Sequence, residues 1–128
     1  MMSLNDYNTT EFWQVLDKLV SESEIVIDRP KGSSHPRYPA FIYPLDYGYL
    51  KGTTAMDGGG IDVWCGSDLT READAIMCIV DLTKRDSEIK VLIGCTEEEK
   101  AKVYQLHNET ECMKGILIHR PCDGHLKR

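Results

Sequence analysis

The 128-residue sequence lacks the features that would assign it to a membrane, to the secretory route or to nucleic acid. It has no apolar run of membrane-spanning length, and its N-terminus lacks the basic and then apolar layout of a signal peptide. Its net charge of −6 is opposite in sign to the basic face that binds a phosphate backbone. We therefore expect a cytoplasmic protein that binds neither nucleic acid nor membranes.

Paired cysteine motifs are absent as well. The sequence has five cysteines but no Cys-x-x-Cys pair, and an odd number cannot form a complete set of disulfides. Three of them lie in apolar runs, which is typical of reduced thiols in the core of a cytosolic protein.

The composition that remains is ordinary for a globular protein, with 41% hydrophobic and 28% charged residues. A chain of 128 residues is long enough for one domain, residues 1–128, with its own core. The acidic net charge does not exclude a small anionic ligand, because a metal site carries its own positive charge.

Helix signals occur near both ends. The N-cap pattern from Asn8 to Glu11 precedes apolar residues at helical spacing and predicts a helix of about three turns. A capping box from Thr96 to Glu99 predicts a second helix that ends near Asn108.

Strand signals fill most of the chain between and after these helices. Apolar and β-branched segments predict strands at 24–28, 43–50, 61–65, 73–82, 88–94 and 113–118. Short strands with turn signals between them and two flanking helices favour a mainly β (α+β) fold with a small closed sheet.

The segment from Tyr43 to Trp64 contains the strongest candidate for chemistry. Asp57 begins an Asp-Gly-Gly-Gly turn between two predicted strands, which brings it close to Asp62. Mg²⁺ commonly uses one or two such carboxylates together with waters and substrate phosphate. An aspartate before glycine is also an ordinary turn residue, and the spacing alone leaves both readings open.

This segment resembles the signature of the soluble (family I) inorganic pyrophosphatases, Tyr-Pro-x-Asn-Tyr-Gly-Tyr-x-x-x-Thr and then Asp-Gly-Asp-Pro-x-Asp-Val. The positions that match at the family's spacing are Tyr43, Pro44, Tyr47, Gly48, Tyr49, Thr53, Asp57, Gly58, Asp62 and Val63. Two positions depart from the signature, since Gly59 replaces the family's middle aspartate and Asp46 replaces its asparagine.

The resemblance extends more weakly on both sides of this segment. Asp28 stands where the family has a site-lining glutamate, and Arg37 could replace a phosphate-binding lysine. The family's hairpin with a phosphate-contacting arginine is missing between Tyr38 and Tyr43, so Arg37 or Lys31 would have to reach its place.

The second predicted hairpin keeps the family's order of an acid, any residue and a lysine. Glu88 and Lys90 occupy these positions, and Asp86 is the nearest candidate for a further carboxylate. Without the resemblance, these charges would be read as an exposed strand edge that discourages edge pairing.

The resemblance implies a five-stranded, OB-like closed β-barrel with two flanking helices and Mg²⁺-dependent hydrolysis of pyrophosphate to two phosphates. The implied metal ligands are Asp57, Asp62, Glu88 and Asp86. The implied phosphate-binding residues are Arg37, Lys31, Tyr43, Tyr47 and Lys90. Asp62 is implied to be catalytic, and Asp46 is a candidate replacement for the missing base at Gly59.

Two alternatives remain open at this point. The missing hairpin favours a related hydrolase of another small phosphate compound, whereas Gly59 favours a non-catalytic phosphate-binding module. In each case we expect a homo-oligomer, because a small barrel with an amphipathic helix has apolar surface left to cover.

Overall fold

The computed structural model describes residues 7–122, which form a six-stranded sheet with two helices. The helices are α1 (Thr10–Ser21) and α2 (Glu97–Leu106). The strands are β1 (Glu24–Arg29), β2 (Asp46–Lys51), β3 (Ile61–Cys65), β4 (Ala73–Asp81), β5 (Asp86–Ile93) and β6 (Met113–His119). The predicted elements are therefore confirmed in type and order, with shifts of one to three residues at most ends.

The strand order in the sheet is β1-β2-β3-β5-β4-β6, and every neighbouring pair except β3 and β5 is antiparallel. The parallel pair arises because β5 lies between β3 and β4 in the sheet, so that β4 pairs with the edge of β5 that faces away from β3. As a result, β2, β3 and β5 lie side by side at the centre of the sheet. Side chains from these three strands can therefore meet on one face.

The closed five-stranded barrel is not confirmed. Within residues 7–122 the sheet is open, with β1 and β6 at opposite edges and no ladder between them. The sheet has six strands rather than five, and a helix packs on each of its two faces. This arrangement fits β4 and β5, whose apolar residues are buried on both faces for much of their length.

The two faces of the sheet have separate cores. On one face α1 packs its buried Trp13 and neighbouring leucines against a cluster that includes Val63, Val91 and Ile93. On the other face α2 and the loop before β2 cover a cluster built around Trp64 and Leu92. The alternation of side chains along each strand assigns them to these two cores.

Local hydrogen bonds explain where α2 begins. The Thr96 hydroxyl accepts from the Glu99 amide, and the Glu99 carboxylate accepts from the Thr96 amide, as the predicted capping box requires. Glu99 also accepts from the amide of Ser67 at 3.1 Å, so the same carboxylate joins α2 to the loop after β3.

The segment predicted as the first part of β2 is instead a loop. Residues 43–45 precede the strand, and Tyr43 pairs with the loop of residues 30–34 through its amide and carbonyl groups. Because Tyr43 and Leu45 are buried, this loop forms part of the core beneath α2 rather than a free surface segment.

An apolar groove of about 870 Å³ is lined mainly by residues of the α1 face, and Glu88 of β5 also contributes to its lining. Its walls include the half-exposed side chains of Phe12, Val80, Ile89 and Ile116. Within the described residues, no helix is long and apolar enough to cross a membrane.

Candidate active site

The side chain of Lys90 is the centre of a polar cluster on the α2 face of the sheet. Its Nζ donates to Asp62 Oδ2 at 2.8 Å, to Glu88 Oε1 at 3.1 Å and to the hydroxyl of Tyr47. Only 9% of the Lys90 side chain is exposed, so the ammonium is largely removed from water. A buried charge of this kind is stable only when it is paired, and here it has two carboxylates.

The sheet register explains why these residues meet. Tyr47 lies opposite Trp64 on β3, and Asp62 precedes Trp64 by two residues and therefore shares its face. Because Trp64 pairs with Leu92 in the parallel ladder, Asp62 lies level with Lys90 on β5. Glu88 is on the same face of β5, two residues before Lys90.

Burial and pairing fix the protonation of the cluster. Burial by itself would lower the pKa of Lys90, but the negative charges of Asp62 and Glu88 outweigh burial, so the pKa of Lys90 is raised. Burial acts to raise the pKa of Asp62, but the charge and hydrogen bonds of Lys90 leave it below its usual value. Burial raises the pKa of Tyr47, so its phenol stays neutral. The cluster is thus a charged lysine held by one phenol and two carboxylates.

The hairpin between β4 and β5 adds two aspartates below this cluster. Asp81 is buried and accepts from the amides of Thr83 and Lys84, so its role is to close the turn. Asp86 pairs with Asp81 across the ladder. Its Oδ1 atom is buried and has no hydrogen-bond partner within the described chain, so one acceptor there remains unused.

The carboxylate of Asp57 is engaged in its own turn. It is exposed, and its Oδ1 accepts from the amide of Gly59 at 3.0 Å, which is the ordinary role of an aspartate before glycine. Among residues 7–122 no group of three or more His, Cys, Asp or Glu side chains converges as a metal site would require. The carboxylates of Asp62 and Glu88 both accept from Lys90, whereas the hydrogen bond of Asp57 lies within its own turn. The sequence prediction that Asp57 and Asp62 share a metal remains a prediction.

The carboxylate of Asp46 also has a structural contact. Its Oδ1 accepts from the amide of Lys31 at 2.8 Å and fastens the loop before β2 to the start of that strand. Lys31 and Arg37 are exposed on this loop, and Asp28 is exposed at the end of β1. In this structure none of these four side chains contacts Lys90.

Aromatic rings pack against the Tyr47 side of the cluster. The rings of Tyr47, Tyr43 and Trp64 form a three-way cluster, with centroid distances of 5.5 Å from Tyr47 to Tyr43, 4.5 Å from Tyr47 to Trp64 and 5.9 Å from Tyr43 to Trp64. Tyr43 is buried, which agrees with a supporting role. The Nε1–H of Trp64 in turn donates to Nε2 of His107 at 3.2 Å.

Sequence reasoning missed Trp64 and His107 as neighbours of the site. The alternation in β3 could have found Trp64, since it shares a face with Asp62. His107 gave no usable signal, because it follows α2 and meets the sheet only in the folded chain.

His107 should make the protein sensitive to acid. Burial, helped by repulsion from Lys90, lowers the pKa of His107 from 6.5 to about 4. Between these two values His107 binds a proton in the unfolded chain but not in the folded protein. Its contribution to the free energy of unfolding is therefore fully present above pH 6.5 and is lost as the pH falls towards 4. The loss should total about 3 kcal/mol. Urea unfolding of His107→Gln between pH 7 and 4 should lack this part of the loss.

The matched control is His119→Gln, which replaces an exposed histidine at the end of β6. Equal acid slopes for wild-type protein and His107→Gln would contradict the assignment.

Comparison with known proteins assigns the chain to a family. The sequence profile of the family described as Inorganic Pyrophosphatase matches residues 23–122. A search of curated protein sequences finds no significant match.

Two solved structures share the fold. An inorganic pyrophosphatase from Neisseria gonorrhoeae aligns with a TM-score of 0.61 and 16% identity, over 75% of this chain and 81% of that one. An inorganic phosphatase from Anaplasma phagocytophilum aligns with a TM-score of 0.52 and 13% identity, over 74% and 81%. At these identities the structures show the fold alone, whereas the family profile covers the segment with Tyr47, Asp62, Glu88 and Lys90. The chain belongs to the inorganic pyrophosphatase family.

Proposed function

We propose that this protein hydrolyses inorganic pyrophosphate to two phosphates with the help of Mg²⁺. The observation that carries the proposal is the cluster of Lys90, Asp62, Glu88 and Tyr47. The resemblance of the sequence to the pyrophosphatases implies metal-binding or phosphate-binding roles for these four residues. Pyrophosphate needs a cation for its charge and basic or phenolic groups for its leaving phosphate. The cluster contains carboxylates that could bind the cation, Asp62 and Glu88, and donors for the phosphate, Lys90 and Tyr47. Lys90 is within hydrogen-bonding distance of the other three.

The residues present are compatible with Mg²⁺. Asp62 and Glu88 provide two carboxylates that already converge on one cation, the Lys90 ammonium. The buried Oδ1 of Asp86 is an unused acceptor on the same hairpin. Since Mg²⁺ commonly takes one or two carboxylates and completes its shell with waters and phosphate oxygens, Asp62 and Glu88 would hold it, with Asp57 or Asp86 approaching.

Each side chain has a role that follows from its charge and position. Lys90 and the neutral phenol of Tyr47 would donate to the phosphate oxygens as negative charge develops on the leaving group. Asp62 would orient Lys90 and share the metal with Glu88. Bound Mg²⁺ would neutralise phosphate oxygens and lower the pKa of a bound water. Arg37 and Lys31 are exposed on the loop before β2 and are further candidates for contacts to phosphate.

A second candidate is a non-catalytic module that binds a phosphorylated ligand. It is favoured by Gly59, which has no side chain to act as a base, and by Asp57, whose carboxylate bonds to its own turn. A related hydrolase for another small phosphate compound is the third possibility, favoured by the short loop before Tyr43.

Phosphate release from pyrophosphate with Mg²⁺, compared with a panel of nucleotides and phosphate esters, tests these candidates. We expect pyrophosphate to be the preferred substrate. Lys90→Met should lower kcat by about 10²–10³-fold, because a buried donor to the developing charge is lost. Lys102→Met, at an exposed lysine on α2, should leave kcat unchanged. Release from a nucleotide or ester alone would favour the related hydrolase, and no release from any compound would favour the binding module.

Mg²⁺ should stabilise the wild-type protein against heat, by about 2.7 kcal/mol at a concentration a hundredfold above its dissociation constant. Asp62→Asn should weaken this effect, and Asp57→Asn together with Asp62→Asn should abolish it. The single variant Asp57→Asn measures how much the exposed carboxylate contributes.

The control for the metal experiment is Asp68→Asn, because Asp68 is an exposed aspartate that accepts from a turn amide as Asp57 does. If the melting temperature of the wild-type protein does not change when Mg²⁺ is added, a metal site at accessible concentrations is ruled out.

The missing base gives a prediction with two opposite substitutions. Gly59 can accept a side chain, since its φ is not positive and the nearest atom to an added Cβ is 3.5 Å away. Gly59→Asp should therefore raise pyrophosphate hydrolysis, by up to about 10²–10⁴-fold for a well-placed base.

Asp46→Asn should lower hydrolysis if Asp46 has taken the role of the base. Asparagine keeps the oxygen that accepts from the Lys31 amide, so the loop should stay in place. An unchanged rate in Asp46→Asn would mean that this carboxylate acts only in the loop. If Gly59→Asp stays inactive while Mg²⁺ binds, the binding module becomes the better candidate.

We also propose that the protein is a cytoplasmic homo-oligomer. The half-exposed apolar side chains of Phe12, Val80, Ile89 and Ile116 around the groove on the α1 face support this. Light scattering should give a mass that is a multiple of 14.5 kDa. A mass equal to one chain would contradict the proposal.

A further inference from the structure

His107 is the one buried histidine in the described chain, and the roles given above to Lys90, Asp62 and Tyr47 do not use it. It follows the last turn of α2 and is 7% exposed, in the core between that helix and the sheet. A polar ring in such a place costs free energy unless its nitrogens have partners. Both nitrogens have one.

The partners define the protonation of the ring. The indole N–H of Trp64 can only donate, so Nε2 of His107, 3.2 Å away, must accept. The proton of the neutral ring is then on Nδ1, which lies 3.5 Å from the thioether sulfur of Met113. His107 is therefore a neutral acceptor, oriented from both sides, for the indole of Trp64.

Trp64 connects this acceptor to the polar cluster. Its ring is buried, and its centroid lies 4.5 Å from that of Tyr47. Tyr43 contacts both rings, with its centroid 5.5 Å from that of Tyr47 and 5.9 Å from that of Trp64, and the Tyr47 hydroxyl accepts from Lys90. The indole is packed in the core, and its N–H has one hydrogen-bond partner, His107. The position of the phenol at the site thus depends on where packing and this hydrogen bond hold the indole.

We propose that His107 is a positioning residue, which holds Tyr47 in place for phosphate binding by anchoring the Trp64 ring; this role rests on the proposed function. An apolar residue at position 107 would fill the core but leave the indole N–H buried without an acceptor. The indole would have to rotate or shift to find one. Its face supports Tyr47, so the phenol would move with it, and small displacements of a site group reduce rate strongly.

Two substitutions separate positioning from simple packing. His107→Leu removes the acceptor, and we expect kcat for pyrophosphate to fall by roughly 10- to 100-fold while KM changes by less than about threefold. His107→Gln retains an acceptor at the level of Nε2, and kcat should return to within about threefold of the wild-type value.

The control is Val103→Ala, which opens a cavity in the same core one helical turn earlier, at a residue that is fully buried. It should lower the melting temperature as His107→Leu does but leave kcat unchanged. If Val103→Ala and His107→Leu lower kcat equally, or if His107→Gln fails to restore it while folding normally, His107 acts through packing alone and the proposal is wrong.

Resonances of labelled tyrosine and tryptophan provide a test that does not require activity. In His107→Leu the indole N–H signal of Trp64 and the ring signals of Tyr47 should both move, whereas His107→Gln and Val103→Ala should leave Tyr47 in place. Unmoved Tyr47 signals in His107→Leu would overturn the proposal even in an active enzyme. Moved signals in a protein that releases no phosphate would support the positioning role and overturn the proposed reaction instead.

Discussion

The pairing of one buried ammonium with two carboxylates is the constraint on which this structure's polar side depends. Lys90 could not remain charged at 9% exposure without Asp62 and Glu88, and those carboxylates would repel each other without Lys90. Since the three residues come from β3 and β5, the pairing also ties the parallel register of these strands to the electrostatics of the site. A slip of one residue would turn either partner to the opposite face.

Under the proposed function, the same cluster explains how a site for a polyanion can exist in an acidic protein. The net charge of the chain is −6, yet the charge that faces the site at its centre is a single lysine between acids. Under the proposed function, the acids would attract a divalent cation, and the cation together with Lys90 would attract phosphate. Local geometry therefore outweighs the global charge, which affects only the long-range approach of the ligand.

The sequence predicted the features that depend on neighbouring residues. The capping box at Thr96 and Glu99, the strand at Ile61–Cys65 and the hairpin between β4 and β5 follow from local chemistry, and all three are confirmed. Features set by distant contacts were less accessible. The open sheet depends on which strands pair at its edges, and Trp64, the hydrogen-bond partner of His107, lies 43 residues away in the sequence.

The parallel pairing of β3 with β5 also affects how the chain acquires its site. The first three strands can associate in order as they are synthesised, but β3 then keeps an unpaired edge until β4 and β5 have formed their own hairpin and docked. Joining such distant segments costs conformational entropy of loop closure before any stabilising contact forms, and this slows folding. The side chains that gather around Lys90 thus come together only once the hairpin of β4 and β5 has docked on β3, and until then the exposed edge of β3 is open to pairing with another molecule.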